Sequence, residues 1–361
     1  MSRVVVHGAY AGDNFGDTLL LCLMCHEVQR RGYGVYVSNS CPKSMKYLAG
    51  NTNVSLLEST KQLDKAVALI YGGGGYFGEQ PVGRLKWNLR FIQTHLPVGF
   101  RMVSAGKPVG VCGIDVGPLC FWPARILARR LFSKVRFLGV RNRESAEYVS
   151  KLGVRDELCH ETADLALMLR EPLIDEINQI EHYRTPRRRI LVHPSFDVDE
   201  SPEMLSIAQI IRESSLGNEH VDVCLMADRD GDTVHRRMLR WAKQLEIDEL
   251  NIFPYKGPWE TCALIRDSDA VITNKLHTAI VASAYGRRVI SLAKHPKNIR
   301  YFKQLKREEL CIPLSDFDAA KFRDLAISLV EGRLSSIQVD DDLYQKSRLN
   351  FELMNNLFDE K

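Results

Sequence analysis

Lys275, His277 and Lys297 are the residues whose types and spacing most clearly offer chemistry in this chain. A short apolar run, residues 270–272, reads as a buried parallel strand. Leu276, Ile280 and Ala284 then recur at helical spacing; Thr273 and Asn274 can cap the helix, and Gly286 can stop it. Lys275, Leu276 and His277 therefore sit where a strand meets a helix N-terminus. Free backbone N–H groups and the positive dipole end attract anions at such a junction. A second strand, residues 288–292, leads to Lys297, expected just past its carboxyl end. Open α/β sheets bind ligands at that rim. Two lysines and a histidine converging there suit a small, multiply charged anion.

Other residues fall at similar places. Arg141 closes the apolar run 137–140, and a guanidinium fork matches phosphate or carboxylate. An ordinary surface arginine is the plainer reading. Asp164 follows a short strand near residues 158–160; it either accepts a proton or sugar hydroxyl, or caps a helix. The loop 8–17 carries Gly8, Gly12 and Gly16, with Asn14 and Asp17 adding polar groups, and Asp17 can cap the next helix. Its spacing is not the dinucleotide fingerprint and it lacks a P-loop lysine. Gly72, Gly73, Gly74 and Gly75 follow another strand, so backbone there comes close to a ligand or to a neighbouring helix. His193 ends the first strand of the second half and is a weaker candidate. Cys22-Leu23-Met24-Cys25-His26 has haem-attachment spacing but lies inside an apolar helical stretch, so it reads as core. No paired CxxC or HExxH occurs, and no metal site is expected.

These residues need a scaffold of alternating strands and helices. Strands are expected near residues 4–7, 35–38, 67–71, 109–114 and 135–140, then 190–193, 221–226, 250–253, 270–273 and 288–292. This is α/β, with two doubly wound halves and a cleft between them. The halves are expected over 1–172 and 190–335, with a linker at 173–189. A tail over 336–361 packs back through Leu343, Leu349, Leu353 and Leu357. Composition is ordinary for a globular chain, at 45% hydrophobic and 26% charged. A net charge of +4 is too small to argue for nucleic acid. No apolar run is long enough for a membrane helix, no secretory signal precedes the first strand, and nine scattered cysteines suit reduced core thiols. A cytoplasmic location is expected. Arg125, Arg129, Arg130, Arg136 and Arg187 to Arg189 either contact an acidic membrane face peripherally or are solvated basic surface. Nothing in the sequence speaks to oligomeric state.

In order, over residues 4–305, the motifs resemble the polysaccharide pyruvyl transferase family. Gly12-Asp13-Asn14-Phe15-Gly16-Asp17 is similar to its G-x-N-x-G-D opening, and Gly72 to Gly75 to its glycine run. Residues 113–118 resemble its G-x-x-x-G-P segment. Arg141 with Ser145 resembles its V-R-D-x-x-S, and Ala163-Asp164 comes after that motif. Lys275-Leu276-His277 stands at its R-x-H, and Lys297, twenty positions after His277, at its distal lysine. Two departures stand out: Lys275 replaces an arginine, keeping charge but losing the bidentate fork, and Asn142 replaces an aspartate.

The resemblance implies two Rossmann-like domains facing a cleft, similar to the GT-B glycosyltransferase architecture, the first on the acceptor side and the second on the donor side. It implies phosphoenolpyruvate as co-substrate, with no other cofactor. The acceptor would be a sugar, oligosaccharide or lipid-linked glycan with two neighbouring hydroxyls, and the product a pyruvate ketal plus phosphate. Arg141, Lys275, Leu276, His277 and Lys297 would bind the donor. Gly12, Asn14, Gly16, Asp17, Gly73, Gly74 and Gly75 would form acceptor-side loops. His277 would deliver a proton to the methylene carbon, or else bind phosphate; Asp17 or Asp164 would accept the hydroxyl proton. Two alternatives stand beside this: a GT-B-type glycosyltransferase using a nucleotide sugar, and a non-catalytic glycan-biosynthesis protein.

Overall fold

The structure is a computed structural model that describes residues 1–48, 52–79, 83–172, 174–183, 185–247 and 250–358. Leu173 and Arg184 of the expected linker, and residues 359–361 at the end of the expected tail, lie outside the described residues. The chain forms two compact units. One comprises Met1–Asp13, Asp17–Ala166 and Asp341–Lys361, the other Asn14–Gly16 and Leu167–Asp340.

The first unit is built on a parallel sheet of eight strands: β1 (Arg3–His7), β2 (Gly34–Ser38), β3 (Val54–Leu56), β4 (Ala68–Tyr71), β5 (Gly74–Phe77), β6 (Val109–Val116), β7 (Phe137–Val140) and β8 (Cys159–Glu161). Their order is β3-β2-β1-β4-β6-β7-β8, with β5 also pairing β6. β4, β6 and β7 are buried along their whole length, as apolar strands covered on both faces must be. Phe77, Phe91, Leu131 and Phe132 fill the core beside them. Burial of a side chain of this size contributes roughly 1.5–3 kcal/mol.

The second unit repeats the plan with six parallel strands: β9 (Arg188–His193), β10 (Val221–Met226), β11 (Asn251–Phe253), β12 (Ala270–Thr273), β13 (Arg288–Ala293) and β14 (Cys311–Pro313). Their order, β11-β10-β9-β12-β13-β14, reverses direction between β9 and β12. That reversal is the switch point at which doubly wound sheets take ligands.

Several local expectations change. The glycine run is not all loop, because Gly74 and Gly75 begin β5. The helical stretch expected near residues 85–103 is three segments, with a wider π-helical turn at Phe91–His95 between Arg84–Arg90 and Leu96–Ser104. The tail forms the helix Asp341–Leu353, where Leu343 and Leu353 are buried as expected, as is Leu357 just beyond it; Ser347 and Asn350 are buried on the same helix, and Leu349 is only half-buried. Ser347 donates to the Asp164 carbonyl at 2.7 Å and Asn350 to that of Ala163 at 3.0 Å. A polar stripe is buried there because it satisfies backbone acceptors. All nine cysteines are free, and Cys22 and Cys25 are core residues.

Candidate functional site

In the second unit the site grows from the switch point. β9 and β12 lie in register with His193 opposite Thr273. His193 is buried, its Nδ1 2.9 Å from the Thr278 hydroxyl and 3.3 Å from that of Thr273. It ties strand ends to the next helix. Thr273 and Asn274 are not the helix cap. Lys275 holds that position before the helix Leu276–Ala284. The Thr273 hydroxyl accepts the Lys275 N–H at 3.0 Å, and Asn274 Oδ1 accepts the Ser195 N–H at 3.2 Å. Leu276 turns into the core, whereas His277 is half-buried in the first helical turn.

Lys275 Nζ lies 3.0 Å from Asp228 Oδ2, with a third of the lysine side chain exposed. Asp228, just past β10, is buried. Burial opposes its ionisation, but His193, Lys275 and Arg229 together hold its pKa well below the ordinary carboxylate value. Burial in turn holds His193 below the usual imidazole value, against the pull of Asp228. We read the pair as a charged carboxylate beside a neutral imidazole, 4.0 Å apart. The Asp228 carbonyl accepts the Phe15 N–H at 2.8 Å. Gly16 packs so closely on His277 that a Cβ there would lie 2.1 Å from its Nδ1. Asn14, half-buried, belongs to the same short segment.

Beyond β13, His295 stands just before the helix Pro296–Gln304, with Lys297 in its first turn. Burial, and then the ammonium groups of Lys297, Lys294 and Lys275, hold the His295 pKa below its ordinary value. Lys275 follows β12, and Lys294 and Lys297 follow β13, which makes the carboxyl edge of this sheet positive. Lys294 Nζ rests 3.9 Å above the Phe196 ring.

In the first unit Arg141 follows β7 and is buried. Its Nη2 donates to Asp115 Oδ2 at 3.1 Å and its Nη1 to Asp164 Oδ2 at 3.0 Å. Burial works against the guanidinium charge, but the two carboxylates more than offset it. Asp115 Oδ1 also accepts from Asn142 and from the Ser145 hydroxyl, each at 3.0 Å. Asn142 caps the helix Arg143–Lys151 by accepting the Ser145 N–H at 2.8 Å. Asp164 Oδ1 accepts the Ala166 N–H at 3.0 Å. One guanidinium faces two carboxylates here, so this cluster is not itself a positive pocket.

Asp17 does not cap its helix. The helix Phe15–Arg30 starts earlier, and Asp17 stands half-buried in its first turn. Gly12 is exposed. Side chains at Gly72 and Gly73 would collide with Tyr10 or press on Leu20 and Leu165, so close protein packing accounts for those glycines. Gly74 has φ +131, and Gly75 is exposed; a Cβ added there would lie 3.6 Å from Arg141 Nη2. Arg189 is no part of a surface patch: it is buried, 5.4 Å over the Phe253 ring, and bonded to the Tyr183 carbonyl.

Asp115, Asp228, Lys294 and His295 were not singled out from sequence. Asp228 had a usable signal, since it follows a strand and precedes a glycine-opened helix. Among the described residues no cluster of three or more His, Cys, Asp or Glu could hold a metal ion, and no helix is long and apolar enough to cross a membrane.

Solved structures share the fold across the whole chain. The UDP-GlcNAc 2-epimerase of Methanocaldococcus jannaschii is 9% identical, with 98% of this chain and 100% of that one covered at a TM-score of 0.65. The Neisseria meningitidis enzyme bound to UDP-GlcNAc is 10% identical over 98% and 100%, at 0.63. S. aureus MnaA with UDP is 10% identical over 100% and 99%, at 0.62. At such identity the likeness is one of fold: two Rossmann-like domains of the GT-B-like kind. No curated protein matches the chain. The family model for polysaccharide pyruvyl transferase matches residues 14–296, most of the chain, and the chain belongs to that family.

Proposed function

We propose that the chain transfers a pyruvyl group from phosphoenolpyruvate to two hydroxyls of a sugar in a glycan or glycan precursor. The observation that carries this reading is the carboxyl edge of the second unit's sheet, where Lys275 and His277 follow β12 and Lys294 and Lys297 follow β13. A carboxylate and a phosphate on one three-carbon donor need several cations and helix N-termini close together. His277 is proposed to protonate the donor's methylene carbon, which leaves its neighbouring carbon open to attack. One sugar hydroxyl adds there, phosphate leaves, and the second hydroxyl closes the ketal. Of the two hydroxyl protons, one replaces that given by His277 and the other leaves through a carboxylate base. Asp17 and Asp164 are the proposed bases. Arg141 is proposed to keep Asp164 in place, together with the tail helix that holds the Asp164 carbonyl.

The second reading, a nucleotide-sugar donor, is favoured by the fold, because the similar structures carry UDP or UDP-GlcNAc. A thermal-shift comparison separates the two. Phosphoenolpyruvate at about 100 times its Kd is expected to stabilise the chain by about 2.7 kcal/mol, and UDP-sugars much less. The reverse ranking would replace the proposal with the nucleotide-sugar reading.

A further inference from the structure

We infer that Asp228 is a positioning residue for the donor site: its buried carboxylate fixes the Lys275 ammonium, and its carbonyl fixes the backbone at Phe15. The inference rests on the donor reading above and assigns a role to a residue just past a different strand, β10.

Lys275 reaches the rim from a helix cap on a side chain with four rotatable bonds, a third of it exposed. Unanchored, such an ammonium samples many positions. Asp228 Oδ2 stands 3.0 Å from it and is itself held, buried, at the end of β10. The other oxygen faces Arg229 Nε at 3.5 Å and His193 Nε2 at 4.0 Å. Beside the two cations Lys275 and Arg229, one carboxylate leaves the pair of charges uncancelled. It therefore orients the lysine without cancelling the attraction for an anion. The Phe15 N–H bonded to its carbonyl belongs to the segment whose Gly16 packs on His277. One residue thus bears on both the cation and the imidazole of the same turn.

The test is calorimetric titration of phosphoenolpyruvate into the full chain. Asp228→Ala is expected to weaken binding about 10-fold. Asp228→Glu keeps the charge but moves it by one methylene, and is expected to weaken binding comparably. Asp228→Asn keeps an oxygen for the lysine and is expected to stay within about 3-fold of the parent. In a Lys275→Met background, Asp228→Ala is expected to add less than about 3-fold, because its partner is already gone. Should Asp228→Ala fail to fold, Asp228→Glu alone carries the test. Unchanged or tighter binding in Asp228→Glu, or losses that multiply in the double variant, would overturn the inference. A parent chain that does not bind phosphoenolpyruvate would overturn the proposed function, and this inference with it.

Discussion

Gly16→Ala is a one-carbon perturbation aimed at His277. The added Cβ would lie 2.1 Å from Nδ1, 2.6 Å from Cγ and 2.9 Å from Cβ of His277. Ordinary contact begins at 3.4 Å, so Nδ1 must retreat by 1.3 Å and the histidine Cβ by 0.5 Å. Ring rotation cannot move the Cβ, so the first turn of Leu276–Ala284 must shift as well. A misplacement of about 1 Å costs on the order of 100-fold in rate, or about 2.7 kcal/mol of barrier. The assay is phosphate release from phosphoenolpyruvate over a panel of glycans, with calorimetric donor binding alongside. If His277 delivers the proton, turnover is expected to fall about 100-fold while donor binding changes by only a few-fold. Equal losses in both would make His277 a phosphate ligand instead. A Gly16→Ala chain with the parent's turnover and binding would refute the placement of His277 in the chemistry altogether.

Three further outcomes are expected. Arg141→Met leaves Asp115 and Asp164 without their shared cation, and breaking a buried pair in this way costs about 3–5 kcal/mol. The melting temperature should drop markedly, and an unchanged melt would contradict the ion-pair account. Gly72→Ala sets a methyl 2.1 Å from the Tyr10 hydroxyl but 3.5 Å from its ring carbon, so it should destabilise the parent and be tolerated in a Tyr10→Phe background. Equal destabilisation in both backgrounds would exclude the hydroxyl as the obstacle. The third concerns the buried His7–His95 pair, 2.8 Å apart. Burial, and then Arg90, pulls His95 from 6.5 down to about 3, and burial with His95 holds His7 well below its ordinary value. Because the folded values lie below the unfolded one, the stability is complete above the unfolded pKa and is lost as pH falls from there towards the folded values. For His95 alone this amounts to roughly 2 kcal/mol by about pH 5. Melts followed from neutral to acid pH should show that slope, and it should flatten in His95→Gln.

How much of this was legible in the sequence depended on whether a residue's role is set locally. The doubly wound plan was readable because buried parallel strands are nearly continuous apolar runs, as at residues 68–71 and 109–116. The Lys275 to His277 turn and Lys297 were readable because a strand, a charged residue and a helix succeed one another within a few positions. Partners brought by other strands were not. Asp115 and Asp164 reach Arg141 from 26 and 23 positions away, and Asp228 reaches Lys275 from an earlier strand. The tail was legible in part. Leucine spacing correctly put Leu343, Leu353 and Leu357 on the buried face, but Ser347 and Asn350 are buried there too because they meet the carbonyls of Asp164 and Ala163. The glycine run signalled close approach correctly in kind, yet spacing cannot say whether the neighbour is a ligand or, as at Gly72, a tyrosine.

Whether the lysine-rich rim of the second unit serves a phosphoenolpyruvate donor is decided by incubating the chain with phosphoenolpyruvate and a glycan panel. Phosphate release and glycan mass are followed together. The expected result is phosphate release matched by a pyruvate-ketal mass gain on one glycan, lost in Lys275→Met. Consumption of a nucleotide sugar with phosphoenolpyruvate untouched would contradict that assignment.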